Sequence, residues 1–171
     1  WIKSGVEIIP FLPLNNEVPD KKADLIWLPG GYPELYSKEL SEANLTRDAL
    51  IKMSKIKKIH GECGGYMSLG KALINKNGDT FKMFGLLGLI TSYEKKKLHL
   101  GYRLAKIKNN LNHYSKFKTI RGHEFHYSSI ISQPDQELYQ VFDANNNKVS
   151  ETGSIKDNVT GTFFHAISGV E

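Results

Sequence analysis

Residues 56–70 read IKKIHGECGGYMSLG. Ile56, Ile59 and their neighbours predict a short buried strand, while Tyr66, Met67, Leu69 and Leu73 recur at helical spacing, so the chain turns from strand to helix at Cys63. Four glycines fall between Gly61 and Gly70, three of them (Gly61, Gly64, Gly65) around the turn itself. Glycines there let the backbone adopt a strained conformation and let another segment come close, which is the geometry of a nucleophile elbow. The helix that follows aims its first free N–H groups and positive end at the side chain, and this favours the attacking thiolate. A lone cysteine without such surroundings is more often a small, inert, buried apolar group.

The flanking sequence places this elbow in an alternating pattern. WIKSGVEIIPFLPL predicts a helix tail, a turn at Gly5 and a strand over Val6–Ile9 that ends at Pro10. DLIWLPGGYPE gives a second buried strand, Leu25–Leu28, running straight into Pro29, Gly30 and Gly31. Ser37–Ser54 carries Leu40, Leu45, Leu50 and Met53 among charges and predicts one amphipathic helix or two. Strand, helix, strand and elbow helix indicate an α/β domain with a mainly parallel sheet flanked by helices. In such sheets the functional loops gather at the carboxyl ends of the strands, so the PGG loop and Cys63 belong on one rim. Beyond Asn75–Thr80 the texture changes to short β-rich runs, among them LHLGYRLAKIKNN, FKTIRGHEFHYSSI and NVTGTFFHAIS, which predict antiparallel additions to the same domain.

Composition narrows the class. A length of 171 residues with 40% apolar and 24% charged residues suits one globular domain, and no apolar run reaches membrane-spanning length. The single cysteine excludes an internal disulfide framework and points to the reducing cytoplasm. The net charge of +5 comes from scattered lysines such as Lys55, Lys57, Lys58 and Lys95–Lys97, solvated faces that do not suggest nucleic-acid binding.

A thiolate on such a rim suits acyl transfer, which needs a nucleophile, a proton-shuttling base and N–H donors for the oxyanion. The donors expected are the Gly64 amide and an amide of the Gly30–Gly31 turn, each worth about 3–4 kcal/mol of transition-state stabilisation in comparable sites. The base comes from the six histidines. His165 follows the apolar run TGTFFH, where a strand terminus could carry it over the elbow; the direction of His60 is not fixed by spacing. His123 and His126 are three apart and point to opposite faces of a strand, which argues against a two-histidine metal site, and His99 and His113 sit in polar contexts. Alternation in RGHEFHYS puts Arg121, His123, Phe125 and Tyr127 on one face and Gly122, Glu124, His126 and Ser128 on the other. Glu124 and His126 are therefore candidate cleft residues near Cys63, unless their strand face is merely solvated.

Taken together, EIIPFLPL, ADLIWLPGGYPELY, IHGECGGYMSLG, FGLLGLI, LGYR, RGHEFHYS and VTGTFFH resemble, in this order and over nearly the whole chain, the C-terminal glutamine amidotransferase domain of cobyrinic acid a,c-diamide synthases. This group is the cobyrinate and cobyrate branch of class I, triad-type amidotransferases, with a flavodoxin-like fold. The resemblance implies that Cys63 attacks the glutamine carboxamide, that His165 is the base, and that ammonia passes to a synthetase domain. There, with ATP and Mg2+, the a and c carboxylates of cobyrinate are amidated. No GxxxxGK[ST] loop occurs in residues 1–171, so the ATP-binding domain is absent from this chain and no cofactor or metal is expected in it. The same comparison implies that the first strand and helix of the domain are missing, which would leave a sheet edge able to pair with a second copy. Class I enzymes commonly place a glutamate two residues after the histidine; Ile167 stands there, and no third triad member is assigned. The alternatives are a stand-alone cysteine hydrolase of the same architecture, a regulatory domain without turnover, or the amidotransferase domain of another tetrapyrrole enzyme, cobyric acid synthase or nickel-sirohydrochlorin diamide synthase.

Overall fold

The computed structural model describes residues 1–108 and 117–170. Its strands are β1 (Leu25–Leu28), β2 (Lys58–Glu62), β3 (Ala72–Ile74), β4 (Thr80–Lys82), β5 (Ile90–Ser92), β6 (His99–Ile107) and β7 (Thr119–His126), followed by β8 (Ser129–Ser132), β9 (Gln136–Glu137), β10 (Tyr139–Phe142), β11 (Ser154–Lys156), β12 (Val159–Thr162) and β13 (Phe164–Val170). Among the described residues three α-helices accompany them: α1 (Ser37–Glu42), α2 (Asn44–Met53) and α3 (Gly64–Leu69). Among the described residues no helix is long and apolar enough to cross a membrane.

The first sheet has the order β1-β2-β12-β11-β9, and its parallel part is β1, β2 and β12. Leu28 is in register with Gly61, and Glu62 with Thr162, so the carboxyl ends of three parallel strands meet at one edge. Ile26, Leu28, Ile59 and Val159 from these strands pack with Tyr66, Met67 and Leu69 of α3 into the larger core. A second, wholly antiparallel sheet has the order β10-β6-β7-β13, and Ala105, Ile120, Tyr139, Val141 and Phe164 form the smaller core against it. The third sheet, β4-β3-β5-β8, is mixed. The class is α/β as expected, but among the described residues parallel pairing is confined to the β1-β2-β12 side of the first sheet and one pair of the third. The antiparallel additions make up most of the remainder.

Two local predictions resolve differently. Ser37–Ser54 forms two helices that break at Ala43, and the first amides of α2 are satisfied from a distance: Asn16 Oδ1 accepts Leu45 N at 2.8 Å and Thr46 N at 3.2 Å. Val6–Ile9 is not a strand; it runs unpaired over the surface with Val6, Ile8 and Ile9 exposed. Pro10 and Pro13 lack amide donors, and the chain there is committed to delivering the Asn16 cap rather than extending a ladder.

The decisive turn of the chain comes at Phe163. TGTFFH is not one strand: β12 ends at Thr162 in the parallel sheet, and β13 begins at Phe164 in the antiparallel one. Phe163 is fully buried between them, edge-on to Tyr66 and stacked on His126.

Candidate active site

Cys63 closes β2 with φ 51° and ψ −104°, a region that an L-residue occupies only under constraint. The constraints are visible. Cys63 N donates to Thr162 O at 2.8 Å, Cys63 O accepts Met67 N at 3.1 Å, and Gly65 N donates to Pro29 O at 3.0 Å, which pins the turn to both neighbouring strand ends. A Cβ on Gly65 would lie 2.0 Å from Leu28 O, and one on Gly64 would lie 2.6 Å from the Gly31 backbone. Only glycine permits α3 to dock backbone against backbone on the end of β1. The elbow is therefore present, although α3 has only six residues, so the dipole expected of it is that of a short helix.

The β12–β13 crossover sets His165 beside the sulfur. Gly30 marks the spot, since a Cβ there would be 3.8 Å from both Cys63 Cβ and His165 Cε1. His165 Nδ1 is 2.8 Å from Glu62 Oε1. Its hydrogen bonds with the Cys63 side chain and with Glu62 raise its pKa from the usual imidazole range to about 9, against the lowering effect of burial. At neutral pH His165 is thus an imidazolium between a carboxylate and a half-buried sulfur, and an imidazolium stabilises negative charge on that sulfur. The Cys63 sulfur also lies 3.8 Å from Phe125 O at the end of β7.

Three comparisons place this geometry. Residues 3–170 match the CobB/CobQ-like glutamine amidotransferase domain family. The chain belongs to that family. It is 49% identical over 169 residues to the hydrogenobyrinate a,c-diamide synthase of Rhodobacter capsulatus, and 44% identical over 169 residues to that of Mesorhizobium japonicum. These alignments cover 99% and 98% of this chain but 39% and 38% of the relatives, so the amidotransferase domain spans about two fifths of their length. Among solved structures it resembles a glutamine amidotransferase crystal structure with a TM-score of 0.55 at 14% identity, covering 85% of this chain and 71% of that one. A second, from Thermotoga maritima, also gives 0.55, at 16% identity with 87% and 58% covered. At these identities the structural likeness shows the shared fold.

Within the amidotransferase domain the anticipated residues separate into two places. Cys63, His165, Gly30, Gly31 and Gly64 come together at the parallel strand ends. Of the RGHEFHYS strand, it is His123 that reaches this group, its ring stacked on His165 with centroids 4.8 Å apart. Glu124 and His126 lie on the other face of β7, buried rather than solvated, and border a separate cleft of about 380 Å³ that His99, Lys97, Gln133 and Glu151 also line. His126 Nε2 is 2.9 Å from Glu124 Oε1, and Arg103 Nε donates to Glu124 Oε2 at 2.8 Å. Burial pushes the Glu124 carboxyl up, but the bonds from His126 and Arg103 outweigh it and hold the group below the ordinary carboxylate range. His99 stacks flat on His126 and is held below the usual imidazole range by burial and by His126. Glu151 is raised by burial.

His60 is a core residue: Nδ1 is 2.7 Å from Thr160 Oγ1 and its ring packs on Trp27. His113 lies outside the described residues. Glu62, His99 and Glu151 were not singled out by the sequence. Glu62 alone carried a usable signal, being an acid fixed at a strand end directly before Cys63.

Proposed function

We propose that this chain is the glutamine-hydrolysing part of an ATP-dependent synthase that amidates the a and c carboxylates of a corrin-type acid, hydrogenobyrinate in the relatives' names and cobyrinate in the expectation from sequence. The observation that carries the reading is His165 held between Glu62 and the Cys63 side chain at a positive-φ elbow. In this mechanism the Cys63 thiolate attacks the glutamine carboxamide carbon, and the oxyanion is held by the Gly64 amide and an amide of the Gly30–Gly31 turn. Imidazolium His165 gives its proton to the departing nitrogen, so that ammonia leaves and a glutamyl thioester remains. Water then attacks the thioester carbonyl while neutral His165 takes its proton, and the thioester collapses to glutamate and the starting ion pair. Glu62 keeps Nδ1 protonated throughout and so presents the other ring nitrogen to the reaction, the role an aspartate plays in serine hydrolases.

Ammonia passes to synthetase elements outside these 171 residues, where ATP and Mg2+ activate the acceptor carboxylates. A diazo-ketone analogue of glutamine should label Cys63. In the enzyme together with its synthetase part, Cys63→Ser should reduce glutamine-dependent synthesis by more than about 10³-fold while ammonia-dependent synthesis survives. Loss of both activities would overturn the assignment, since Cys63 would then be holding the fold.

A further inference from the structure

Strands β6 and β7 set three metal-ligating side chains on one sheet face. Glu124 and His126 are two residues apart and share the buried face of β7, and His99 is the direct cross-strand neighbour of His126. Glu124 Oε1 lies 2.9 Å from His126 Nε2 and 3.9 Å from His99 Nδ1, and one ligand atom from each residue falls within 4.8 Å of the others. The glutamine chemistry proposed above uses none of the three. We propose that His99, Glu124 and His126 form a divalent transition-metal site, best matched to Zn2+, whose open coordination position faces the adjoining cleft.

The donor set fits the ion. Two imidazole nitrogens and one carboxylate oxygen suit Zn2+, and three protein ligands leave a fourth position for water or for a polar group of a bound molecule. The outer partners fit as well. His126 Nδ1 is 3.1 Å from Ser128 O, so an Nδ1–H donated to that carbonyl turns the Nε2 lone pair toward the cluster. Arg103 occupies Oε2 of Glu124, which orients the carboxylate and leaves Oε1 for the metal.

The cleft supplies an independent sign of a ligand. Glu151 is 2% exposed, and its Oε1 accepts from Gly153 N, Thr162 Oγ1 and Phe163 N, whereas Oε2 has no hydrogen-bond partner. A buried, unpartnered oxygen on the wall of a cleft of about 380 Å³ is satisfied by a polar group that enters the cleft, and a metal-bound water or hydroxide is such a group. The adjustment needed is small. Tetrahedral Zn2+ holds its donors about 3.3 Å apart, so Glu124 and His126 are nearly in place. His99 must turn out of its stack on His126, and its side chain, 26% exposed, has room to do so. Lys97 beside the cleft opposes a cation and places the expected affinity near a Kd of about 1 μM rather than in the range of closed structural sites.

The test is calorimetric titration of Zn2+ into metal-free protein carrying Cys63→Ser, so that sulfur cannot capture the ion. One Zn2+ per chain is expected with a Kd of about 1 μM or tighter, and Co2+ in its place should give the intense visible bands of a four- or five-coordinate ion. His99→Ala should weaken binding at least about tenfold with unchanged thermal unfolding, and His126→Ala should do the same if it folds. His99→Ala decides alone if the buried variant does not fold. Absence of stoichiometric binding, or binding that His99→Ala leaves unaltered, overturns the proposal.

Discussion

The Glu62–His165 and Glu124–His126 pairs are alike in chemistry and in length, 2.8 and 2.9 Å, yet they are held in different ways. The first stands where three parallel strands end, and its rigidity is backbone rigidity: glycine against carbonyl, amide against carbonyl, with few side chains involved. That arrangement leaves the second nitrogen of His165 to the sulfur. The second pair sits between long antiparallel strands and is enclosed by side chains, with Arg103 on the carboxylate, Ser128 behind the imidazole, and His99 and Phe163 on its faces. The contrast teaches that a histidine–glutamate pair is not in itself a catalytic signature. What distinguishes the first is the Cys63 thiol beside it and the strained turn that fixes that thiol.

The sharpest way to break the comparison is at the backbone. Gly65→Ala would put a methyl 2.0 Å from Leu28 O, so the variant should fail to fold or lose about 3 kcal/mol or more. Gly31→Ala meets nothing within 4 Å and should cost under about 1 kcal/mol. Thermal unfolding of the two variants reads this directly, and equal stabilities would mean that α3 is not docked through its glycines.

Next in size is Glu62→Gln, which keeps the shape but removes the charge that raises His165. Glutamine hydrolysis should fall by about 10²-fold or more. The pH profile carries the diagnostic part. In the proposed mechanism protonated His165 is required for ammonia to leave, so activity should be present below about 9 and lost as pH rises through that value; in Glu62→Gln the loss should move to lower pH. An unmoved alkaline limb would show that Glu62 merely fills space.

The difference between the two regions also explains what the sequence disclosed. At the elbow, strand, glycines and helix are contiguous, so Cys63 and its turn could be read from fifteen residues. The PGG loop followed from the same rule about strand ends. His165 was found because it closes an apolar run, but its partner Glu62 lies 103 residues away, and proximity of that kind is set by which strands pair. The family habit of looking two residues after the histidine led to Ile167, which is 63% exposed. Alternation along RGHEFHYS gave both faces correctly and could not say which face met Cys63. The answer depended on the crossover at Phe163, which brings His123 rather than Glu124 or His126 against His165. Val6–Ile9 is rich in β-branched residues and so resembles a strand, but the prolines after it and the absence of a pairing ladder prevent one.

The smallest effect expected tests the second region alone. Burial raises Glu151 above an ordinary glutamic acid, so the folded chain holds that proton more tightly than the unfolded chain. A raised carboxyl contributes stability that is full below its unfolded value and lost as pH rises through its folded value. Glu151→Gln keeps an oxygen to accept from Gly153 N, Thr162 Oγ1 and Phe163 N, while removing the group that ionises. The variant should therefore gain stability relative to the parent as pH rises from 4 to 8, as read by denaturant unfolding at both values in the presence of chelator. A variant that is instead less stable than the parent at pH 8 would show that the ionised carboxylate is satisfied in the fold. The second region would then be held by charge pairing throughout, and the contrast with the backbone-built elbow would be sharper still.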